Sequence, residues 1–374
     1  MLKIGIVGGG QLGRMMLQQA ANYPIETYVL ENDANAPAAH LCHHFHLGEI
    51  TNYETVLAFG RKVDVVTIEI ENVSVEALFQ LEKEGVTVIP KPSVLQTIKD
   101  KGLQKQFYES NQIASPEFLL LNNKEEVTAN ESFFPAAQKL RTGGYDGKGV
   151  HLLWNSEDLV EAFDAPSVLE KLVDIEKEIA VIVAKNESGD TAVYPPTEMV
   201  FDPDLNLVDY LLAPANISTE LTETAKQLAL KVCNAFNSPG IFAVEMFLNK
   251  QGELLVNETA PRVHNSGHQS IEGNYVSQFD MLLRVLQNLP LGSTETIKPA
   301  LMLNILGEKN HSGNAVYEGL ENILQLEGVS IHLYGKAQTK PGRKMGHVTV
   351  IGDNYRELLS KAAIVKTTLK VVAK

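Results

Sequence analysis

Two cysteines, Cys42 and Cys233, are all that 374 residues contain. That is too few for a disulfide framework and suits a reducing compartment. Positive charge is also short: 32 Lys and Arg against 46 Asp and Glu leave a formal charge of −14. Such a balance argues against a chain that coats nucleic acid or an acidic membrane. No stretch approaches the ~18 uninterrupted apolar residues of a membrane span. The sequence has no internal repeat and no low-complexity tract, and Met1–Val7 runs into a glycine cluster rather than a signal-peptide cleavage site. What is present is an ordinary globular mix, 44% apolar and 21% charged, at a length that implies two or three domains. A cytoplasmic, multi-domain protein without nucleic-acid or membrane partners is expected.

The first hundred residues alternate strand and helix signals. Lys3–Val7, Glu26–Leu30, Val63–Ile70 and Val86–Ile89 read as strands, with helices over Gln11–Asn22 and Val75–Lys83. That alternation predicts an α/β unit with a doubly wound parallel sheet. Pro90-Lys91-Pro92 breaks the pattern, a helix follows over Lys101–Asn111, and Ser115-Pro116 stops it. The middle of the chain is richer in strands: Ala136–Leu140, Val150–Leu153, Val168–Leu172, Glu178–Val183, Ala192–Tyr194 and Leu207–Leu212. Its helices are chiefly Ser156–Phe163 and Leu221–Ala235. This is an α+β pattern with largely antiparallel sheets. A third, smaller unit begins near Lys298-Pro299. The expected units are 1–100, 101–297 and 298–374. The last of these ends in a stretch, 331–374, with nine Lys or Arg and two Asp or Glu; it reads either as a solvated tail or as an anion site.

Gly8-Gly9-Gly10-Gln11-Leu12-Gly13 fits G-x-G-x-x-G between a strand and a helix, where glycines let the backbone approach a phosphate or ribose. With Glu31 closing the second strand, this segment alone suggests an NAD-dependent oxidoreductase. His40, Cys42, His43, His44 and His46 invite a metal reading, but no zinc spacing is present and strand alternation would scatter them over two faces. A partly exposed, histidine-rich strand is expected instead. Arg141-Thr142-Gly143-Gly144-Tyr145-Asp146-Gly147-Lys148-Gly149 lies between two strands and is not a Walker loop, because Lys148 precedes glycine and no helix follows. It reads as a glycine-rich flap over a nucleotide, with Lys139 just upstream favouring phosphate.

Ala243–Leu248 and Glu253–Glu258 form an expected hairpin around Asn249-Lys250-Gln251-Gly252. Pairing Leu248 with Glu253 places Glu245 opposite Val256 and makes Glu258 its diagonal neighbour on one face, roughly 7–8 Å away at the backbone. Two such carboxylates suit a shared hard cation, Mg²⁺. In the following Asn257–His268, a zinc reading of His264 and His268 fails because Ser266-Gly267 interrupts any helix. Arg262 and His264 there suit an anionic substrate. Lys336, Lys340, Arg343 and Lys344 around Pro341-Gly342 suit a phosphate monoester.

The flap R-T-G-G-Y-D-G-K-G, the run N-E-T-A-P-R-V-H-N-S-G-H and the tail G-R-K-M-G-H together resemble the ATP-grasp superfamily. Within it they resemble the 5-(carboxyamino)imidazole ribonucleotide synthetase family, the ATPase subunit of phosphoribosylaminoimidazole carboxylase, over essentially the whole chain. The resemblance implies a pre-ATP-grasp domain, an ATP-grasp domain that holds ATP between two antiparallel sheets, and a small C-terminal domain. It implies ATP contacts at Lys101, Lys139, Gly144, Tyr145, Asp146, Gly147, Lys148, Gly149 and Val150. It implies a hinge for adenine at Glu170-Lys171-Leu172-Val173, a ribose acid at Glu178, and nucleotide contacts at Asn257 and Glu258. Mg²⁺ or Mn²⁺ would rest on Glu245 and Glu258. For aminoimidazole ribonucleotide the matching positions are Gln11, Leu12, Glu71, Tyr145, Asp146, Arg262, His264, Lys336 and Arg343. Lys101 departs from a common arginine, and T-I-E-I-E-N-V before and after Glu71 lacks a common aromatic residue.

The implied reaction activates bicarbonate with ATP as carboxyphosphate and carboxylates the exocyclic amine of the ribonucleotide, in purine biosynthesis. Asp146 would orient or deprotonate the amine, and Arg262 and His264 would hold bicarbonate. The family resemblance also implies a homodimer and a mutase that takes the product. Two rivals are the NAD-dependent oxidoreductase and a non-catalytic nucleotide-binding remnant of the ATP-grasp fold.

Overall fold

β-Branched runs build the first sheet. Leu2–Val7, Ile25–Glu31, His44–Leu47, Val65–Ile68 and Thr87–Val88 pair in parallel, in the spatial order third, second, first, fourth, fifth. Ile4, Ile6, Val7, Val65, Val66 and Ile68 are all buried, as strands covered on both faces require. The sheet order reverses between the first and fourth strands. At that switch point a crevice opens outside the carboxyl ends, flanked by the glycine loop and by residues 69–71. The computed structural model describes residues 1–144, 149–201 and 208–374.

A four-stranded antiparallel sheet follows, ordered Phe118–Leu121, Ser167–Lys171, Ala136–Leu140, Val150–Leu153. Lys139 pairs with Val150 at the end of the ladder between the third and fourth strands of this order. The expected helix Ser156–Phe163 is a 3₁₀ helix, Ser156–Glu161, held by a capping box between Asn155 and Asp158.

The large sheet contains the long strands Ile175–Lys185 and Gly240–Asn249, paired antiparallel from Ile175 to Lys185. Alternation divides their side chains. Ile179, Val181, Val183, Val244 and Met246 face helix Thr219–Phe236, which presents Ala225, Ala229, Val232, Cys233 and Phe236. Each large side chain so buried contributes roughly 1.5–3 kcal/mol. Ile182, Ala184, Ile241 and Ala243 face the other way, onto helix Gln278–Leu286. That second face also carries Glu178, Glu245 and Glu258, by the same two-residue period.

The basic C-terminal stretch is no solvated tail. Lys344–Ile351 is a buried strand between Ala300–Leu306 and Val329–Leu333, and Ala300–Leu306 in turn pairs with Val208–Ala213. The C-terminal strands thereby extend the central sheet. No helix among the described residues is long and apolar enough to cross a membrane.

Candidate active site

The hairpin that bears Glu245 and Glu258 has a different register from the expected one. Asn249 Oδ1 accepts from the N–H groups of Gln251 (3.1 Å) and Glu253 (2.8 Å), which draws Glu253 into the turn, so that Leu248 pairs with Leu254. A one-residue slip turns every side chain to the opposite face. A bulge at Asn257 supplies a second one-residue slip, and Glu245 lies directly opposite Glu258 rather than diagonal to it. The pair is therefore closer than predicted, at the cross-strand separation of roughly 4.5–5.5 Å between Cβ atoms. The bulge also lets consecutive residues work together: Asn257 Oδ1 accepts from Lys139 Nζ at 2.9 Å while Glu258 takes Lys101.

These groups form one charged network across the cleft between the four-stranded and large sheets. Lys139 Nζ donates to Glu170 Oε2 at 2.9 Å, and the almost fully buried Lys105 lies 3.9 Å from Glu170 Oε1 while donating to the Pro116 carbonyl at 2.8 Å. Burial holds the Lys105 ammonium down to about 8, against the pull of Glu170. Glu178 is pushed up to about 7 by burial, with Lys139 opposing and Glu258 reinforcing the shift. Burial, and then the charges of Glu258 and Glu178, raise the Glu245 carboxyl well above its ordinary range. Lys101 does the reverse to Glu258, holding it down against its burial. Arg141 clamps Asp100, the N-cap of helix Lys101–Ser110, at 2.8 and 2.6 Å, which ties the flap's first strand to the helix that carries Lys101.

Beyond the glutamates lie the anion-binding candidates. His264 Nε2 is 3.5 Å from Glu245 Oε1, and Arg262 Nη2 is 2.9 Å from Glu71 Oε1. Lys336 Nζ donates to Gln11 Oε1 at 3.0 Å and to the Lys344 carbonyl at 2.8 Å, which joins the C-terminal strands to the glycine loop. Burial, then the nearby Arg343 charge, hold Lys336 down to about 8, and Arg343 itself donates to the Gln338 carbonyl at 2.6 Å. At the opposite end, Lys171, Leu172 and Val173 line a cavity with Pro116, Asp174 and Leu255. Gly144, Gly149 and Val150 lie within the described residues, and Gly149, which precedes Val150, has a positive φ of 80°. Tyr145, Asp146, Gly147 and Lys148 lie outside the described residues.

The dinucleotide reading of the glycine loop fails on its own geometry. The buried Glu69 accepts from the amides of Leu12 (3.0 Å) and Gly13 (3.4 Å), which are the helix N-terminal groups that a pyrophosphate would use. Glu31 turns inward to the Gly9 amide at 2.8 Å instead of offering itself to a ribose. Sequence reasoning passed over Glu69; its signal was a carboxylate at the carboxyl end of a parallel strand, where ligands of such sheets gather. Only His44–Leu47 of the histidine-rich segment forms the expected partly exposed strand, at the sheet's edge; His40, Cys42 and His43 lie in the turns before it. His44 stacks on Tyr28 at 4.4 Å and pairs with Glu26 at 2.6 Å.

Among the described residues no three His, Cys, Asp or Glu side chains converge on a metal cage. Two facing carboxylates suit Mg²⁺ nonetheless, because that ion keeps several waters and binds through one or two carboxylates together with substrate phosphates.

Comparison with known proteins divides the chain into three matches. Residues 1–99 match the ribonucleotide synthetase preATP-grasp domain, 106–279 the ATP-grasp domain, and 300–361 the phosphoribosylaminoimidazole carboxylase C-terminal domain. The phosphoribosylaminoimidazole carboxylase of Vigna aconitifolia is 36% identical over 96% of this chain, which spans only 66% of that protein's length. The N5-carboxyaminoimidazole ribonucleotide synthetase of Thermotoga maritima is 42% identical, with a TM-score of 0.93 and complete coverage of both chains. The Aspergillus clavatus synthase, solved with ADP and 5-aminoimidazole ribonucleotide, is 34% identical over 98% of each chain, with a TM-score of 0.90.

Proposed function

The chain belongs to the N5-carboxyaminoimidazole ribonucleotide synthase family of ATP-grasp enzymes, and we propose that it is an ATP-dependent carbon–nitrogen ligase acting on 5-aminoimidazole ribonucleotide and bicarbonate. The observation that carries this reading is the bulged hairpin. It sets Glu245 and Glu258 face to face, with His264 beside Glu245 and Arg262 paired to Glu71.

In the proposed reaction an oxygen of bicarbonate attacks the γ-phosphorus of ATP, the bond to the β-phosphate oxygen breaks, and ADP leaves. The ribonucleotide's exocyclic amine then attacks the carboxyphosphate carbon, or the CO₂ it releases. Phosphate departs, the nitrogen gives up a proton, and 5-carboxyaminoimidazole ribonucleotide results. Glu245 and Glu258 would hold Mg²⁺, which supplies charge neutralisation to the phosphates. Lys139 and Lys101 add positive charge beside those phosphates. Leu172 and Val173 offer backbone groups to adenine, and Glu178 accepts from ribose hydroxyls. Arg262 and His264 hold bicarbonate, Asp146 orients the amine, and the flap excludes water. Gln11, Leu12, Glu71, Tyr145, Lys336 and Arg343 hold the ribonucleotide. The units 1–100, 101–297 and 298–374 would then act as substrate domain, nucleotide domain and phosphate clamp.

The protein would work in the cytoplasm, with the product passing to the mutase of the same pathway. It would form a homodimer; sedimentation as a single 41.1 kDa species at micromolar concentration overturns that part. The central experiment is ADP release with ATP, bicarbonate and aminoimidazole ribonucleotide, each omitted in turn. Turnover should need all three, and release that ignores the ribonucleotide contradicts the reading.

A further inference from the structure

Gln278 has no place in the chemistry above, yet it is fully buried 14 residues from His264 and grips that residue's backbone on both sides. Its Oε1 accepts from the His264 N–H at 2.9 Å, and its Nε2 donates to the His264 carbonyl at 2.7 Å. The remaining amide hydrogen faces His268 Nδ1 at 3.3 Å, so every hydrogen-bonding group of the side chain is committed to one loop. The same loop is tied back to Gln278's own backbone, whose N–H donates to Ser270 Oγ at 2.9 Å. Gly267 makes room for this side chain: a Cβ there would stand 2.6 Å from the Gln278 amide.

With its backbone held, the His264 ring has a defined direction. Ser266 holds Nδ1 through its Oγ at 2.9 Å and its N–H at 3.3 Å, which leaves Nε2 facing Glu245 Oε1 at 3.5 Å. Gln278 also opens the helix Gln278–Leu286, which packs on helix Gln11–Ala20. Asp280 in its first turn takes the Tyr23 hydroxyl and pairs with Arg284 at 3.0 Å. One short helix thereby meets both His264 and the element that begins with Gln11.

We propose that Gln278 is a positioning residue, whose side-chain amide fixes the His264 loop relative to Gln11 and so sets the geometry in which amine and activated bicarbonate meet. This rests on the role given to His264 above. A misplacement of about 1 Å at a reacting centre costs up to about a hundredfold in rate. Gln278→Leu keeps the bulk and loses the clamp. Ribonucleotide-dependent kcat should fall about 10- to 100-fold, while the KM for ATP stays within about twofold. On a His264→Ala background the same substitution should add less than about twofold, because residues that act through one another are not additive. Gln278→Glu keeps the acceptor but lacks the donor until it is protonated, so its activity relative to the wild type should recover as pH falls. Additive losses, a parallel rise in the KM for ATP, or a fully active Gln278→Leu enzyme overturn the proposal. Should the leucine variant not fold, the glutamate variant's pH profile decides alone. Hydrogen exchange at the His264 amide, measured without substrates, separates the two readings. Faster exchange in the variant of a protein that lacks ribonucleotide-dependent turnover leaves the clamp standing and removes the proposed function. Unchanged protection removes the clamp.

Discussion

Glu245 and Glu258 are the same residue type on adjacent strands, yet their surroundings drive their protons apart. Lys101 secures the charge of Glu258, and that charge, added to burial, disfavours a second one on Glu245. An arriving Mg²⁺ requires both ionised, so binding of Mg·ATP should release protons near neutral pH and tighten as pH rises. Calorimetry in two buffers of different ionisation enthalpy measures this directly; proton uptake, or weaker binding at higher pH, would contradict it. The sign for the free protein is opposite. A carboxyl raised in the folded state binds more protons than when unfolded, so stability falls as pH climbs from 4.5 through the raised range. Glu258→Gln should keep the fold and lower Mg²⁺-dependent turnover by at least about a hundredfold, the scale of losing one group that stabilises transition-state charge. ADP release titrated with Mg²⁺ checks it, and normal activity at low Mg²⁺ would reject the metal assignment.

The elements show how local chemistry sets such pairs. In the glycine loop, a Cβ at Gly10 would come 2.6 Å from Glu69 Oε1, the oxygen that serves the Leu12 and Gly13 amides. Gly10 has φ −73°, so alanine fits the backbone and gains up to about 1 kcal/mol from the unfolded state. Displacing a buried carboxylate from its donors costs about 1–3 kcal/mol. Gly10→Ala should therefore be destabilising overall, with a lower urea midpoint and an unchanged slope; an unmoved midpoint would mean that Glu69 yields without loss. Strand-like runs made Ala136–Leu140 and Val150–Leu153 legible to the residue, and apolar residues at helical spacing did the same for Val75–Lys83. The hairpin register was not legible, because it depends on Asn249 capping its own turn and on the bulge at Asn257. Two slips of one residue cancelled in face but not in distance, so the shared face of Glu245 and Glu258 was foreseen and their direct opposition was not. Glu69 escaped notice because it fell inside the expected strand Val63–Ile70, whereas the strand stops at Ile68 and leaves Glu69 at its carboxyl end.

Over the whole molecule, the candidate site is an assembly that no local pattern reveals. Lys336 reaches Gln11 across 325 positions of sequence, and Arg262 reaches Glu71. The motifs could be read singly, but their convergence depends on the C-terminal strands extending the central sheet, which carries Lys336 and Arg343 towards the glycine loop. In the proposed arrangement that convergence makes the ribonucleotide site separable from the nucleotide site, and Arg343 tests the separation. If Arg343 and Lys336 hold a 5′-phosphate dianion, each supplies charge-assisted hydrogen bonds worth about 1.5–3 kcal/mol. Losing one should raise the ribonucleotide KM roughly 10- to 150-fold in Arg343→Ala. Lys336 is held down to about 8, partly by Arg343, so removing that neighbour also makes the remaining lysine easier to protonate and places the loss at the lower end of this range. ATP lies against Lys139 and the Leu172–Val173 hinge in the proposed arrangement, so its KM should stay level. Both constants are measured side by side. Two unchanged values would mean that Arg343 does no more than hold the Gln338 carbonyl, and two constants rising together would mean that the loop acts on the flap instead of on the phosphate.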